Sequence, residues 1–383
     1  MSSKLLALIL LSLSLAPMTS NAQPKPRARD LGIPFEGIPG PWNAITDVPG
    51  VEVGQVTLIE GEGKLVQGKG PVRTGVTAIF PLGKTAENGV FGGHFSLNGA
   101  GELTGMAIVQ EFGELHGPVI LTGTLNVGIA HQAAIEWQRD RIKNPDALYN
   151  RTLPVVGETW DGFLHDVFGF HLRKEHVFEA MNNASSGPVQ EGGVGGGTGM
   201  ACYEFKGGIG TASRIVPSGG KSYTLGVLVQ TNFGRRRQLL VAGVPVGKEI
   251  TDLMPKEGQT GDGSVIVVVA TDAPFLPVQL DRLARRVALG LARTGSIATN
   301  GSGDLFLSFS TATQLTPAET PIDVQMTRDI NPFFEAVVYA TEEAVINAII
   351  AGETMEGING NTVYGLPHER LKEILRKRSV LRE

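Results

Sequence analysis

Cysteine is almost missing from this chain. Cys202 stands alone among 383 residues, so no intrachain disulfide can form and the core must hold the fold. An excess of positive charge is missing too. Lys and Arg number 33 against 38 Asp and Glu, a formal charge of -5, which argues against a nucleic-acid partner. After the N-terminus no apolar run is long enough to cross a bilayer. The sequence contains no HExxH, CxxC or paired-histidine spacing. His165, His171 and His176 fall six and five residues apart, which does not put them on one helical face, so neither a metal nor a cofactor is expected. A GxSxG elbow is absent, which disfavours an ordinary α/β-hydrolase. Residues 192–199 are almost all glycine but lack the GxxxxGK[ST] order, so they read as a turn whose bare backbone lines a pocket rather than as a phosphate cradle.

What is present begins with an export signal. Lys4, an apolar run from Leu5 to Ala16, and small residues up to Ala22 give the pattern of a cleaved signal peptide over residues 1–22, hence a periplasmic or secreted protein; the alternative is an uncleaved membrane anchor. Residues 23–40 are rich in proline and charge and read as an extended arm. The whole chain is 42% apolar, and beyond the arm strand and helix patterns alternate in clusters. Strands are expected at 51–59, 75–81, 118–124, 223–232, 264–271 and 305–310. Helices are expected at 127–139, at 276–293 with Pro277 in the first turn, and from a capping Asn331 to near Gly352. The last of these should turn Phe334, Val337, Val338, Thr341, Val345 and Ile349 inward. Cys202 reads as a buried structural thiol.

The segment Gly261-Asp262-Gly263-Ser264-Val265-Ile266-Val267 is the most informative. A polar, glycine-rich linker runs into a buried-type strand, and a serine stands at the junction. If the Gly263–Ser264 bond breaks, Ser264 gains a free α-amino group beside its own hydroxyl, so one residue supplies both nucleophile and base. Other polar residues stand near strand ends: Asn232, Glu158, and Ser302 with Asp304. Taken singly, each is also explained as a cap, a turn former or a solvated charge.

Several motifs in one order resemble a known family. They are residues 43–54, 98–105, 154–162, 191–200 with 206–214, 226–232, and Ser264 with 270–274. The chain resembles, over essentially its whole mature length, the DmpA family of N-terminal-nucleophile aminopeptidases, which includes β-peptidyl aminopeptidases of the BapA type. That resemblance implies a four-layer αββα sandwich shared with ornithine acetyltransferases. It implies self-cleavage between Gly263 and Ser264 into a larger chain, 23–263, and a smaller chain, 264–383. Ser264 would be the nucleophile, Asn232 the oxyanion donor, and Ser302 with Asp304 a polar relay. Glu158 would bind the substrate ammonium, with Glu191 a second candidate. Where the β-peptidyl branch has a glutamate this chain has Asp304, one methylene shorter. The expected activity is removal of N-terminal residues, β-amino acids among them, from short peptides, amides and esters. The expected partners are such small substrates and further copies of the cleaved heterodimer. An L-aminopeptidase/D-esterase-amidase, an acyltransferase like ornithine acetyltransferase, and an exported ligand-binding protein are the alternatives.

Overall fold

A computed structural model describes residues 25–141, 153–255, 263–315 and 329–381. The expected export signal, the start of the arm and residues 256–262 lie outside the described residues.

Two sheets are stacked face to face. One has four strands in the order β1-β2-β5-β6, formed by β1 (Glu52–Glu60), β2 (Val72–Phe80), β5 (Val119–Gly123) and β6 (Val155–Thr159). The other has six in the order β4-β3-β12-β11-β10-β9: β3 (Gly89–Gly99), β4 (Glu114–Leu115), β9 (Gly208–Ser218), β10 (Lys221–Phe233), β11 (Gly263–Thr271) and β12 (Gly303–Leu315). A short hairpin of β7 (Ala201–Cys202) and β8 (Phe205–Lys206) sits beside them. Each sheet contains one parallel pair joined through a helix, β5–β6 through α1 (Val127–Arg139) and β11–β12 through α3 (Pro277–Arg293). Helix α1 and helix α2 (Lys174–Asn182) cover the smaller sheet. Helix α3 and helix α4 (Asn331–Ile350) cover the larger one. The expected αββα sandwich is the observed architecture.

Three apolar clusters correspond to the three interfaces of this sandwich. Along β11, Val265, Val267 and Val269 face the helices, while Ile266, Val268 and Ala270 face the other sheet. A strand buried on both faces explains the unbroken apolar run in its sequence. Ser264 shares the parity of Ile266 and so belongs to the side facing the second sheet, at the strand's first turn of pleat.

The expected elements are present with shifted ends. Helix α4 differs most. Asn331 is its first residue rather than its cap, and Ile330 precedes it without a side-chain cap. Phe334 and Val338 are only partly buried, and Phe333, Ala336 and Ala340 take the inward places. From Thr341 to Ile350 every residue is buried, so a single apolar stripe is a poor guide to this helix. The glycine-rich run is a wedge between the sheets as well as a wall. A Cβ at Gly196 would strike the Gln230 side chain and the Leu121 carbonyl, and one at Gly197 the backbone of Gly208 and Ile209. Only Gly199 of this run reaches the cavity described next.

Candidate active site

Antiparallel pairing sets Asn232, at the end of β10, directly opposite Ser264, at the start of β11. Parallel pairing sets Gly303, at the start of β12, on the other side of Ser264. Three strand ends thus converge on one hydroxyl. The Ser264 Oγ donates to the Gly263 carbonyl oxygen at 2.7 Å, and the Gly303 N–H donates to that Oγ at 3.2 Å. The serine hydroxyl therefore lies against the peptide bond that joins it to Gly263. Gly263 has φ +80, and a Cβ there would collide with the Asn232 carbonyl oxygen and the Phe233 Cα. Only glycine fits between the two strands at this point.

A cavity of about 260 Å³ opens over this junction. Ser264, Asn232, Glu158, Trp160, Phe163 and Glu204 are among its lining residues. The Asn232 carboxamide is held at both ends. Its Oδ1 accepts from the Ala201 N–H at 2.9 Å, and its Nδ2 donates to the Trp160 carbonyl oxygen at 2.9 Å. The second Nδ2 hydrogen is left for a ligand, the arrangement needed for a preorganised oxyanion donor.

Glu158 is the penultimate residue of β6 and is buried at 5% exposure. Oε1 accepts from the Glu102 N–H at 3.0 Å, and Oε2 accepts from the Thr124 hydroxyl. Both partners are neutral. Burial raises the carboxyl pKa above the usual range, and the two hydrogen bonds oppose the shift without reversing it. A cation entering the cavity would meet a carboxyl group with no cationic partner among the described residues. The sequence motif at 98–105 is thereby explained in part: it brings Glu102 N–H to Glu158, and Gly101 leaves room, since a Cβ there would lie 3.1 Å from Oε1.

Ser302 and Asp304 do form a pair. The Ser302 Oγ donates to Asp304 Oδ1 at 2.7 Å, while the buried Asp304 Oδ2 has no hydrogen-bond partner. Burial raises the Asp304 pKa, partly offset by the Ser302 hydroxyl. The pair flanks Gly303, whose N–H donates to the Ser264 hydroxyl, so it adjoins the site through the backbone.

Glu191 is placed elsewhere, and its expected contact with substrate does not fit its surroundings. Arg27 Nε meets Oε2 at 2.7 Å, Arg27 Nη2 meets Oε1 at 3.1 Å, and the Thr211 N–H donates to Oε1 at 2.8 Å. The carboxylate is saturated by the N-terminal arm and does not line the cavity. Of the three histidines, His165 and His171 stack edge to face with centroids 5.6 Å apart, and His171 Nε2 meets Asp166 Oδ2 at 2.9 Å. Burial pushes the His165 pKa down to about 4. Cys202 is buried, with its thiol pushed up to about 12.

Sequence reasoning missed Thr124, Trp160 and Glu204. Thr124 follows a strand-ending glycine and carries no motif of its own. Glu204 sits at φ +61 in the tight β7–β8 turn, after Tyr203 at φ +51. Its Oε2 accepts from the Arg236 N–H at 2.8 Å and its Oε1 lies 3.6 Å from Arg235 Nη1. Of the two cavity glutamates, Glu204 thus brings its own cation and Glu158 does not.

The profile of peptidase family S58 matches residues 43–363. The chain belongs to peptidase family S58. It is 51% identical over 369 residues to the β-peptidyl aminopeptidase BapA of Sphingosinicella xenopeptidilytica, and the match covers 92% of each chain. It is 50% identical to the BapA of Sphingosinicella microcystinivorans over the same share of each. Among solved structures, the L-aminopeptidase D-Ala-esterase/amidase of Ochrobactrum anthropi, described as a prototype of the serine aminopeptidases and a variant of the Ntn-hydrolase fold, superposes with a TM-score of 0.87 at 46% identity. That superposition covers 94% of this chain and 100% of the other. This S58 member is accordingly a serine aminopeptidase of the N-terminal-nucleophile type.

Proposed function

We propose that this S58 enzyme cuts itself at Gly263–Ser264 and then removes N-terminal residues, β-amino acids foremost, from short peptides, amides and esters. The observation that carries the proposal is the Ser264 hydroxyl 2.7 Å from the Gly263 carbonyl oxygen, in one cavity with Asn232 and Glu158. In maturation, Ser264 Oγ bonds to the Gly263 carbonyl carbon and the C–N bond breaks. Water then hydrolyses the resulting ester, leaving a Gly263 carboxylate and a Ser264 with a free α-amine. Such an amine titrates near about 7.7–8.0 when unperturbed, so a useful fraction is neutral near pH 7 and can take the hydroxyl proton.

In turnover, the substrate ammonium pairs with Glu158 and its scissile carbonyl points at Asn232 Nδ2. Ser264 Oγ attacks, the amine leaves with a proton, and water releases the acyl group. Ser302 and Asp304 steady the Gly303 turn and adjoin the new α-amine. The β-amino preference is taken from the two BapA relatives at 51% and 50% identity. A second reading, release of L-α-amino residues, is favoured by the shorter carboxyl at Asp304 and by the Ochrobactrum anthropi relative at 46% identity. A panel of p-nitroanilides of β-alanine, L-alanine and D-alanine, each free and N-acetylated, decides. Faster turnover of the free β-alanyl compound supports the proposal. Equal turnover of acetylated and free compounds overturns the aminopeptidase assignment to Glu158. The signal-like residues 1–22 and the family resemblance motivate two further proposals, export to the periplasm and assembly of cleaved heterodimers into an oligomer.

A further inference from the structure

Lys206 is fully buried in β8, its Nζ is surrounded by neutral groups, and burial pulls its pKa down to about 7, so the positive charge it carries falls as pH rises through that value. Nζ donates to the carbonyl oxygens of Met200 at 2.8 Å, Gly207 at 2.9 Å and Gly197 at 3.3 Å, three acceptors for three hydrogens. Among the described residues no carboxylate lies within ion-pair distance of it. A buried cation without a counter-ion is costly, and a Met of similar length would fill the space without that cost. The position of one acceptor suggests what the charge does. The peptide unit between Met200 and Ala201 takes the Lys206 ammonium on its oxygen, and its N–H is the group that donates to Asn232 Oδ1 at 2.9 Å.

We propose that Lys206 is a positioning and polarising residue for the oxyanion site, acting on Asn232 through the Met200–Ala201 peptide. The series runs from Lys206 Nζ–H to the Met200 carbonyl, from the Ala201 N–H to Asn232 Oδ1, and from Asn232 Nδ2–H to the developing oxyanion. Each amide is conjugated, so a cation on its oxygen draws electrons from its nitrogen and makes the N–H a stronger donor. Hydrogen bonds aligned in this way reinforce one another in a low-dielectric interior. The positive charge is thus felt at the oxyanion although no ammonium enters the cavity. The Trp160 carbonyl, holding the other Nδ2 hydrogen, fixes the direction in which the carboxamide points.

The inference rests on the oxyanion role proposed for Asn232, and a double-mutant cycle separates the two. Wild type, Lys206→Met, Asn232→Ala and the double variant are compared by kcat and KM per mature heterodimer, counted by intact mass. Lys206→Met should lower kcat roughly tenfold, a fraction of what a whole oxyanion donor provides, with KM within about twofold. In the Asn232→Ala background the same change should alter kcat by less than about twofold. A wild-type kcat in Asn232→Ala sinks the oxyanion reading. A slow Asn232→Ala combined with a full-rate Lys206→Met, or with the same tenfold loss in both backgrounds, overturns the polarising role alone. If Lys206→Met does not mature, Lys206→Gln, which keeps N–H donors without charge, is read in the same cycle. Failure of both to fold would assign Lys206 to the fold and overturn the inference.

Discussion

Two regions of this molecule bury charge in opposite ways. Under the N-terminal arm every buried carboxylate meets a guanidinium. Glu191 holds Arg27, and Glu343 holds both Arg29 and Arg214, with Asn43 Nδ2 adding a neutral donor at 2.6 Å. The Glu343 pKa falls despite burial, because its cations and donors outweigh desolvation. Around the cavity the buried ionisable groups have neutral partners instead: Glu158 a hydroxyl and an N–H, Asp304 a hydroxyl, Lys206 three carbonyls. The first pattern is that of an anchor, in which cost and compensation sit together. The second leaves desolvation uncompensated until a ligand or a reaction supplies the missing charge, which is how perturbed groups mark a working site.

The sharpest way to break this contrast is at the nucleophile. Ser264→Ala should leave one uncut chain with no measurable hydrolysis, whereas wild type should yield a chain ending at Gly263 and one beginning at Ser264. Intact mass reads both. An active but uncut wild type would remove the N-terminal-nucleophile chemistry altogether.

Next in size is Asn232→Ala. Loss of one oxyanion donor should lower kcat by about two to three orders of magnitude with little change in KM. Steady-state kinetics on a p-nitroanilide measure it, and a near-normal kcat would return Asn232 to a strand-end role that ties β10 to Trp160 and Ala201.

The two glutamates then test the comparison itself. Glu158→Gln should lose roughly 10- to 100-fold in kcat/KM on free-amine substrates and still mature, because a substrate ammonium left without its carboxylate is the penalised state. Glu191→Gln should keep kcat/KM within about threefold but lower stability by about 1–3 kcal/mol, since Arg27 loses its main partner while remaining partly in water. Denaturant midpoints and kinetics on both variants decide. An active-site defect in Glu191→Gln with unchanged stability would reverse the two assignments.

Much of this was legible in the sequence, for identifiable reasons. β11 is buried on both faces, so its apolar run stood out, and the polar residues just before it located Ser264. Asn232 and Glu158 also stand one residue from the ends of apolar strands, where a side chain can leave the core and still be positioned by it. What the sequence could not show was pairing across the fold. Arg27 and Glu191 are 164 residues apart, and only three-dimensional packing reveals that they neutralise each other. Lys206 was hidden for a similar reason. Its three acceptors are backbone carbonyls, which carry no residue identity. The inward set of α4 was misplaced because residues 341–350 are buried all round and give no phase, while Phe334 and Val338 in the first half are apolar but only partly buried.

The effect of Asp161, which stands behind Trp160 on the cavity side of the contrast, is spread over pH and is small within any one pH unit. Asp161 is buried at 2% exposure, accepts from the Thr74 hydroxyl at 2.7 Å, and feels the Glu158 charge. Burial raises its pKa from 3.8 to about 7. With the folded value above the unfolded one, the native state holds a proton that the unfolded chain has released between about pH 4 and pH 7. The stability this proton confers is fully present below pH 3.8 and is lost as pH rises through about 7. Asp161→Asn keeps the shape and has nothing to titrate, so it should gain on wild type by up to about 1.4 kcal/mol per pH unit across that window, then run parallel above it. For a chain of this size that is on the order of 1–2 °C in Tm per pH unit. Thermal unfolding of both proteins from pH 4.5 to 8 measures the difference directly, and shared titrations elsewhere cancel. A constant gap across the window would mean that Asp161 is ionised in the fold as in the unfolded chain, which would remove it from the groups whose burial is left uncompensated.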